Sequence, residues 1–355
     1  MAILAHSSEP NALHAGQVKE AALAAGFDLA GITAALPSAD AEHYTDWAQR
    51  GWGGRMSYLS DYRAGVRLDP RRLMASAQSI LCVGMVYNGP RPYSTSRTEA
   101  ELGWISRYAW GEDYHRILKD KLEIVAGILQ REAEFEYKIC VDTAPLLERS
   151  YARLAGLGWI GRNTCLINQK LGSWIFLGEM LLSLPLEPDA PPPDRCGTCR
   201  RCIDACPTQA LVQHDGRWEL DARLCISYFT IELKGAVPEG HRSAMGRHVF
   251  GCDICQDVCP WNRRAAVTRE PGFLPAHEAP ELDRLAAVTP SEFRAMFRLS
   301  PVSRARYAGF LRNVAVAMGN SRLARFRNPL LRLCANEDAV VAEHARWALG
   351  QLQSE

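Results

Sequence analysis

Eight of the chain's twelve cysteines crowd into residues 196–259, and their spacing constrains the fold more than any other feature. Cys196, Cys199 and Cys202 stand three apart, Cys206 follows four residues later, and Pro207 closes the run. Such a run wraps backbone around a 4Fe–4S cube so that three sulfurs reach three irons, while the fourth cysteine turns to a second cluster. A partial second run, Cys252, Cys255 and Cys259 before Pro260, lacks one thiolate, which Cys225 upstream supplies. Crossed ligation then pairs Cys196, Cys199, Cys202 and Cys259 on one cluster and Cys206, Cys225, Cys252 and Cys255 on the other. Two tetrahedral zinc sites could use the same thiolates, but the full run with its proline is a cluster spacing, and iron–sulfur charge-transfer absorbance separates the two. Cys82, Cys140, Cys165 and Cys334 read as packing thiols.

At 355 residues the chain exceeds one comfortable core and implies two or three modules. Residues 11–26 carry apolar positions at helical spacing and stop at Gly26; FDLAGIT and SILCVGMVY (79–87) read as strands. A helix is expected over 112–131, a strand over 136–141 and a second helix over 144–154. This alternation fits an α+β layered domain, without fixing strand order or direction. Five prolines in 185–194 mark a seam. From 301 to 353 the chain reads as short-looped helices, and RNVAVAMG (312–319) and HARWALGQ (344–351) hint at a two-helix repeat. The expected modules are 1–190, 191–265 and 266–355.

Forty-one basic side chains balance forty acidic ones, so any anion-binding surface must be local. One such surface lies between Pro301 and Arg332: Arg304, Arg306, Arg312, Arg322, Arg325, Arg327 and Arg332, with no acidic residue. Arginine forks suit phosphate backbones; the plainer alternative is arginine stems covering a helical core. The start MAILAHSSEPNALHAG lacks a basic, then apolar, leader pattern, and no apolar window approaches eighteen residues. A cytoplasmic protein without a membrane span is expected.

Clusters pass single electrons and need a redox terminus. No G-x-G-x-x-G follows a strand. The cobalamin-binding pattern D-x-H-x-x-G starts at Asp113-Tyr114-His115 but meets Leu118 where glycine belongs. Spacing alone therefore stops at a two-cluster redox protein. Asp142, between a strand and a helix, reads as a helix cap or as an acid whose pKa is raised by burial. His115 and His241 read as structural histidines without an assigned role.

Several stretches go further: GWGGRMSYL (51–59), SRYAWGEDYHRILKDKL (106–122), VDTAPLLERSYARLAGLGWIGRNTCLI (141–167), GSWIFLGEMLL (172–182) and ISYFTIELKG (226–235). With the two cysteine runs, the chain resembles the epoxyqueuosine reductases, cobalamin-dependent iron–sulfur enzymes acting on the wobble base of tRNA. The resemblance implies a cobalamin domain like those of nitroreductases and reductive dehalogenases, a ferredoxin-like two-cluster module with 225–250 also closing the cofactor pocket, and a C-terminal HEAT-like helical repeat. It implies Asp142 as proton donor and Arg67, Ser106, Asp142, Leu166, Leu177, Ser227, Cys252 and Asp253 as corrin contacts. Ser106 departs from members with cysteine there, which excludes a cobalt–thiolate contact. Arg304, Arg306, Arg312, Arg322, Arg325 and Arg327 become the tRNA grip on the anticodon stem-loop, a flavodoxin or ferredoxin the electron donor, and a monomer the default state. A small-molecule reductive dehalogenase and a non-catalytic electron carrier are the rival readings. The first does not need the basic repeat, and the second leaves Asp142 unused.

Overall fold

A computed structural model describes residues 13–90 and 92–352; residues 1–12, most of the stretch read for a leader, lie outside them. A four-stranded sheet organises the N-terminal half: β1 (Leu29–Ala34), β2 (Ser79–Val86), β3 (Tyr137–Cys140) and β4 (Ile175–Leu182), in the order β1-β2-β4-β3 and antiparallel throughout. Every residue of β2 is buried. Its alternation decides what packs where: Leu81, Val83 and Met85 face one core, Ile80 and Cys82 the other.

Helix α1 (Ala15–Ala24) and helix α2 (Tyr114–Leu129) cover the first face. In α2, Leu118, Leu122, Val125, Ala126 and Leu129 form the apolar stripe, so the leucine that breaks the glycine pattern is a core residue. Helix α3 (Glu148–Leu154) covers the opposite face through Tyr151 and Ala152. It comes so close that a Cβ on Gly31 would stand 2.0 Å from the Ala155 carbonyl oxygen.

Three readings are corrected here. The helix expected from 144 starts only at Glu148, because residues 141–146 fold into two tight turns, Thr143 N to Val141 O and Leu146 N to Ala144 O. Asp142 is therefore not its cap; the residue before α3 is Leu147, which makes no side-chain capping bond. The central strand β4 was not expected, since Gly178 and Glu179 interrupt its apolar run.

The cysteine module follows the proline stretch, with short helices Arg201–Ala205 and Ile254–Asp257 and a hairpin of Leu211–His214 on Arg217–Leu220. Helices α4 (Arg306–Ser321), α5 (Arg327–Cys334) and α6 (Ala339–Leu352) close the chain. The two similar octapeptides lie in α4 and α6 and face each other: a Cβ on Gly319 would meet the Ala348 backbone at 2.8 Å. Their core continues through Trp104, Ile105, Trp110, Val249 and Phe250 of the preceding segments, so the helices grow from the body of the molecule rather than hang beside it.

Candidate active site

Two cavities carry the eight cysteines. Cys196, Cys199, Cys202 and Cys259 line a pocket of about 230 Å3, rimmed by Arg162, Arg195 and Arg201. Cys206, Cys225, Cys252 and Cys255 line one side of a larger cavity of about 350 Å3. The fold gathers the cysteines into the same two sets of four. Among the described residues no three His, Cys, Asp or Glu side chains converge on a single-ion site. Each set of sulfurs surrounds a volume, which suits a cube better than a lone zinc.

Asp142, Glu148, Arg149, Tyr108 and Tyr114 line the same cavity. Of the residues expected on the corrin, Ser106, Asp142, Leu166, Leu177, Ser227 and Cys252 line this cavity. Arg67 and Asp253 do not. Arg67 is buried, donates to the Tyr58 carbonyl at 2.8 Å and sits over the Tyr44 ring. Asp253 lies beneath Ser106, accepting its hydroxyl at 2.5 Å, the Trp104 indole N–H at 3.1 Å and the Arg107 backbone N–H at 2.8 Å. It braces the wall without touching the space. Cys165, read as packing, lines the cavity too.

Asp142 is held in an unusual geometry. Its φ is +51°, a left-handed conformation that costs a non-glycine residue free energy and marks functional loops. Its backbone N–H donates to Glu148 Oε1 at 2.5 Å. Asp142 Oδ2 lies 3.1 Å from His115 Nε2, and His115 Nδ1 lies 2.6 Å from Asp113 Oδ1. Arg304 reaches in from the C-terminal region, 3.6 Å from Asp142 Oδ2 and 2.9 Å from Glu232 Oε1. The Asp142 side chain is 38% exposed and lines the cavity.

The electrostatics reverse the expectation for this acid. Burial pulls the Asp142 pKa up, but the His115 hydrogen bond and the Arg304 charge outweigh it and hold the carboxyl below the usual range. For His115, burial works against charge, yet the bonds to Asp113 and Asp142 win and lift its pKa to about 9. At neutral pH the proton therefore resides on His115 between two carboxylates. Sequence reading left His115 without a role; its signal was the Asp113-Tyr114-His115 run, set aside once Leu118 broke the pattern.

The arginine expectations divide. Arg304, Arg306, Arg322, Arg325 and Arg327 are exposed, with Arg304 bound to Glu232 and Arg325 to Asp283 at 2.7 Å. Arg312 is 1% exposed and cannot grip a ligand. It donates to the carbonyls of Phe229, Leu233 (2.6 Å) and Gly235 (2.8 Å). Those carbonyls belong to the widened turn Tyr228–Glu232 and the residues just after it, next to cavity residue Ser227, so Arg312 shapes the site from behind.

Family models match two stretches: residues 195–262 fit a 4Fe-4S double cluster binding domain, and residues 67–143 fit one described as Epoxyqueuosine reductase QueG, DUF1730. The epoxyqueuosine reductase of Xanthomonas campestris pv. campestris is 40% identical over 356 residues, 99% of each chain. The chain belongs to the epoxyqueuosine reductase family. That of Escherichia coli K12 is 36% identical, covering 97% of this chain and 91% of its own. A crystal structure of an epoxyqueuosine reductase with an epoxyqueuosine-modified tRNA-Tyr stem loop superposes with a TM-score of 0.86, at 31% identity over 95% of this chain and 89% of that one. The Bacillus subtilis epoxyqueuosine reductase, solved with a catalytic aspartate loop swung out of its active site, gives a TM-score of 0.84 at 30% identity, covering 95% and 90%.

Proposed function

We propose that this epoxyqueuosine reductase reduces epoxyqueuosine at the wobble position of tRNA, releasing the epoxide oxygen as water and leaving the cyclopentene of queuosine. The observation that carries this reading is the large cavity. Its lining brings together four cysteines and an acid bonded to a proton-holding histidine.

The lining fits cobalamin. Leu166, Ile175, Leu177 and Ile226 offer apolar contact to a macrocycle, while Ser227, Asn163 and Gln256 offer hydrogen bonds to its amide-bearing periphery. When bound, the clusters carry single electrons, and cobalamin supplies a low-valent metal able to reduce an epoxide carbon. The chain's own residues do the rest. Asp142, nearest the open space, passes the proton held by His115 to the departing oxygen. Asp113 keeps the imidazole oriented. A docked anticodon loop, its wobble base turned into the cavity, excludes water. Arg306, Arg322 and Arg327 supply phosphate contacts from the helical region. The modules 1–190, 191–265 and 266–355 divide the work into catalysis, electron delivery and RNA grip. The arginine rim of the smaller cysteine pocket suits an acidic donor such as flavodoxin or ferredoxin. Among the described residues no helix is long and apolar enough to cross a membrane; the cytoplasm, where tRNA is found, is the proposed setting, and a monomer the proposed state.

The test is anaerobic single turnover of the reconstituted enzyme on an epoxyqueuosine stem loop, read by nucleoside mass. Loss of one oxygen is expected, and Asp142→Asn should slow it about 10²–10⁴-fold with cluster content unchanged. Unaltered epoxyqueuosine with the wild type overturns the proposal.

A further inference from the structure

Removing an epoxide oxygen as water takes two protons, and the arrangement around Asp142 accounts for one. Behind it lies a group that the proposed mechanism leaves unused. Glu179, in the middle of β4, has no solvent exposure, and neither of its carboxyl oxygens has a hydrogen-bond partner. Its register partners are Cys82 on β2 and Cys140 on β3, so it points to the sheet face covered by α3. Glu148 is the first residue of that helix, and its charge acts on Glu179. It lines the cavity and accepts the backbone N–H of Asp142.

An ionised carboxylate cannot stay buried without partners, because its lost hydration is worth far more than a single proton's binding. Glu179 is therefore a neutral acid. An apolar side chain would serve the fold better, so a carboxyl here calls for a chemical reason.

We propose that Glu148, backed by the buried Glu179, is a proton store that delivers the second proton of the reduction through Asp142. This rests on the function proposed above. In the balanced step both C–O bonds of the epoxide break, two electrons from the donor end in the new C=C bond, and the oxygen leaves as water. Its first proton comes from His115 through Asp142, turning imidazolium into imidazole. Its second comes from the Glu148 carboxyl, which becomes carboxylate. Glu179 keeps its proton and turns its free O–H to the charge that appears beside it. Both stores refill from solvent when product leaves the cavity.

The charges around the pair agree with this. Glu148 faces Asp142, Arg149 and His115; burial, with the Asp142 charge adding, raises its pKa to about 7. Glu179 faces Glu148, Asp142 and the thiols of Cys82 and Cys140, and burial drives its pKa well above the carboxylate range. The store is full below about pH 7 and empties above it.

The test is single turnover of anaerobically pre-reduced holoenzyme on an epoxyqueuosine stem loop across pH 5.5 to about 9. Wild-type rate should fall as pH rises through the Glu148 titration. Glu148→Gln, which retains an acceptor for the Asp142 N–H, should turn over about 10²-fold more slowly at low pH and lose that limb. Glu179→Gln and Glu179→Met should be slow as well, and the methionine variant should unfold at higher temperature because it removes an unpaired polar group. Independently of activity, infrared spectra of the holoenzyme should show a protonated-carboxyl C=O band, sensitive to deuterium, that disappears in Glu179→Gln. Variants that match the wild type in rate and pH profile sink the store, as does an equal slowing at every pH, which marks a structural role. A wild type that leaves the stem loop unaltered would instead remove the underlying function.

Discussion

The two cysteine-lined cavities each present four thiols and differ in the charged groups around them. The smaller has arginines at its rim and no carboxylate in its lining. The larger is lined by Asp142, Glu148 and three tyrosines. Identical thiolates thus serve two tasks. A site ringed by fixed positive charge can only receive or pass electrons, whereas a site opposite titratable acids can couple an electron to a proton. The difference is in the neighbours, and neighbours come from distant parts of the chain.

Breaking the ligand sets one at a time is the strongest attack on this comparison. Cys255→Ser should abolish turnover with any reductant and lower iron content by about half. Cys196→Ser should lose a similar share of iron and lose turnover with a protein donor, yet keep it with a small chemical reductant that reaches the inner site directly. Equal loss in both variants with both reductants would erase the distinction between the cavities.

A smaller effect sharpens the proton side. His115→Gln should lower turnover about tenfold or more, because the imidazole no longer holds a proton beside Asp142. Stability carries its own signature. The folded pKa of His115 is raised from 6.5 to about 9, so its contribution is fully present below about 6.5 and is lost as pH rises through about 9. Urea midpoints at pH 6 and pH 9.5 should therefore differ more in the wild type than in His115→Gln. An identical pH dependence in the two proteins would show that the Asp113–His115–Asp142 bridge is not formed.

The smallest expected change concerns the proposed RNA face. Arg322→Gln and Arg327→Gln should each raise KM for the stem loop a few-fold at unchanged kcat and reduce the salt slope of binding by about one. Arg312→Gln, in contrast, should destabilise the fold, since it strips buried carbonyls of their donor. A salt-slope change for Arg312→Gln without lost stability would return it to the binding surface.

Much of the site was legible because its signals are local. Ligand spacing is a property of a short stretch, and the turn after Cys140 carries Asp142 wherever the sheet lies. The strand 79–86 was legible as an unbroken apolar run. What escaped depends on partners far away in the chain. Strand β4 hides behind Gly178, which meets Leu118 and Leu122 of α2, and Glu179, which points to the opposite face under α3. Arg312 looks like its exposed neighbours until the carbonyls of 229–235 are brought to it. The direction of the Asp142 pKa could not be read at all, since it is set by His115, 27 residues upstream, and Arg304, from the last third of the chain.

The sequence by itself determined the covalent order of the cysteines, the presence of two clusters' worth of thiolates and the acid at 142, because short-range spacing and residue chemistry need no fold to be defined. The tertiary structure alone decided which acid keeps its proton, which arginine meets solvent and which meets a carbonyl, and that a lone glutamate is buried behind the cavity. Those properties are sums of burial and Coulomb interactions over groups that only packing brings within a few ångströms of one another.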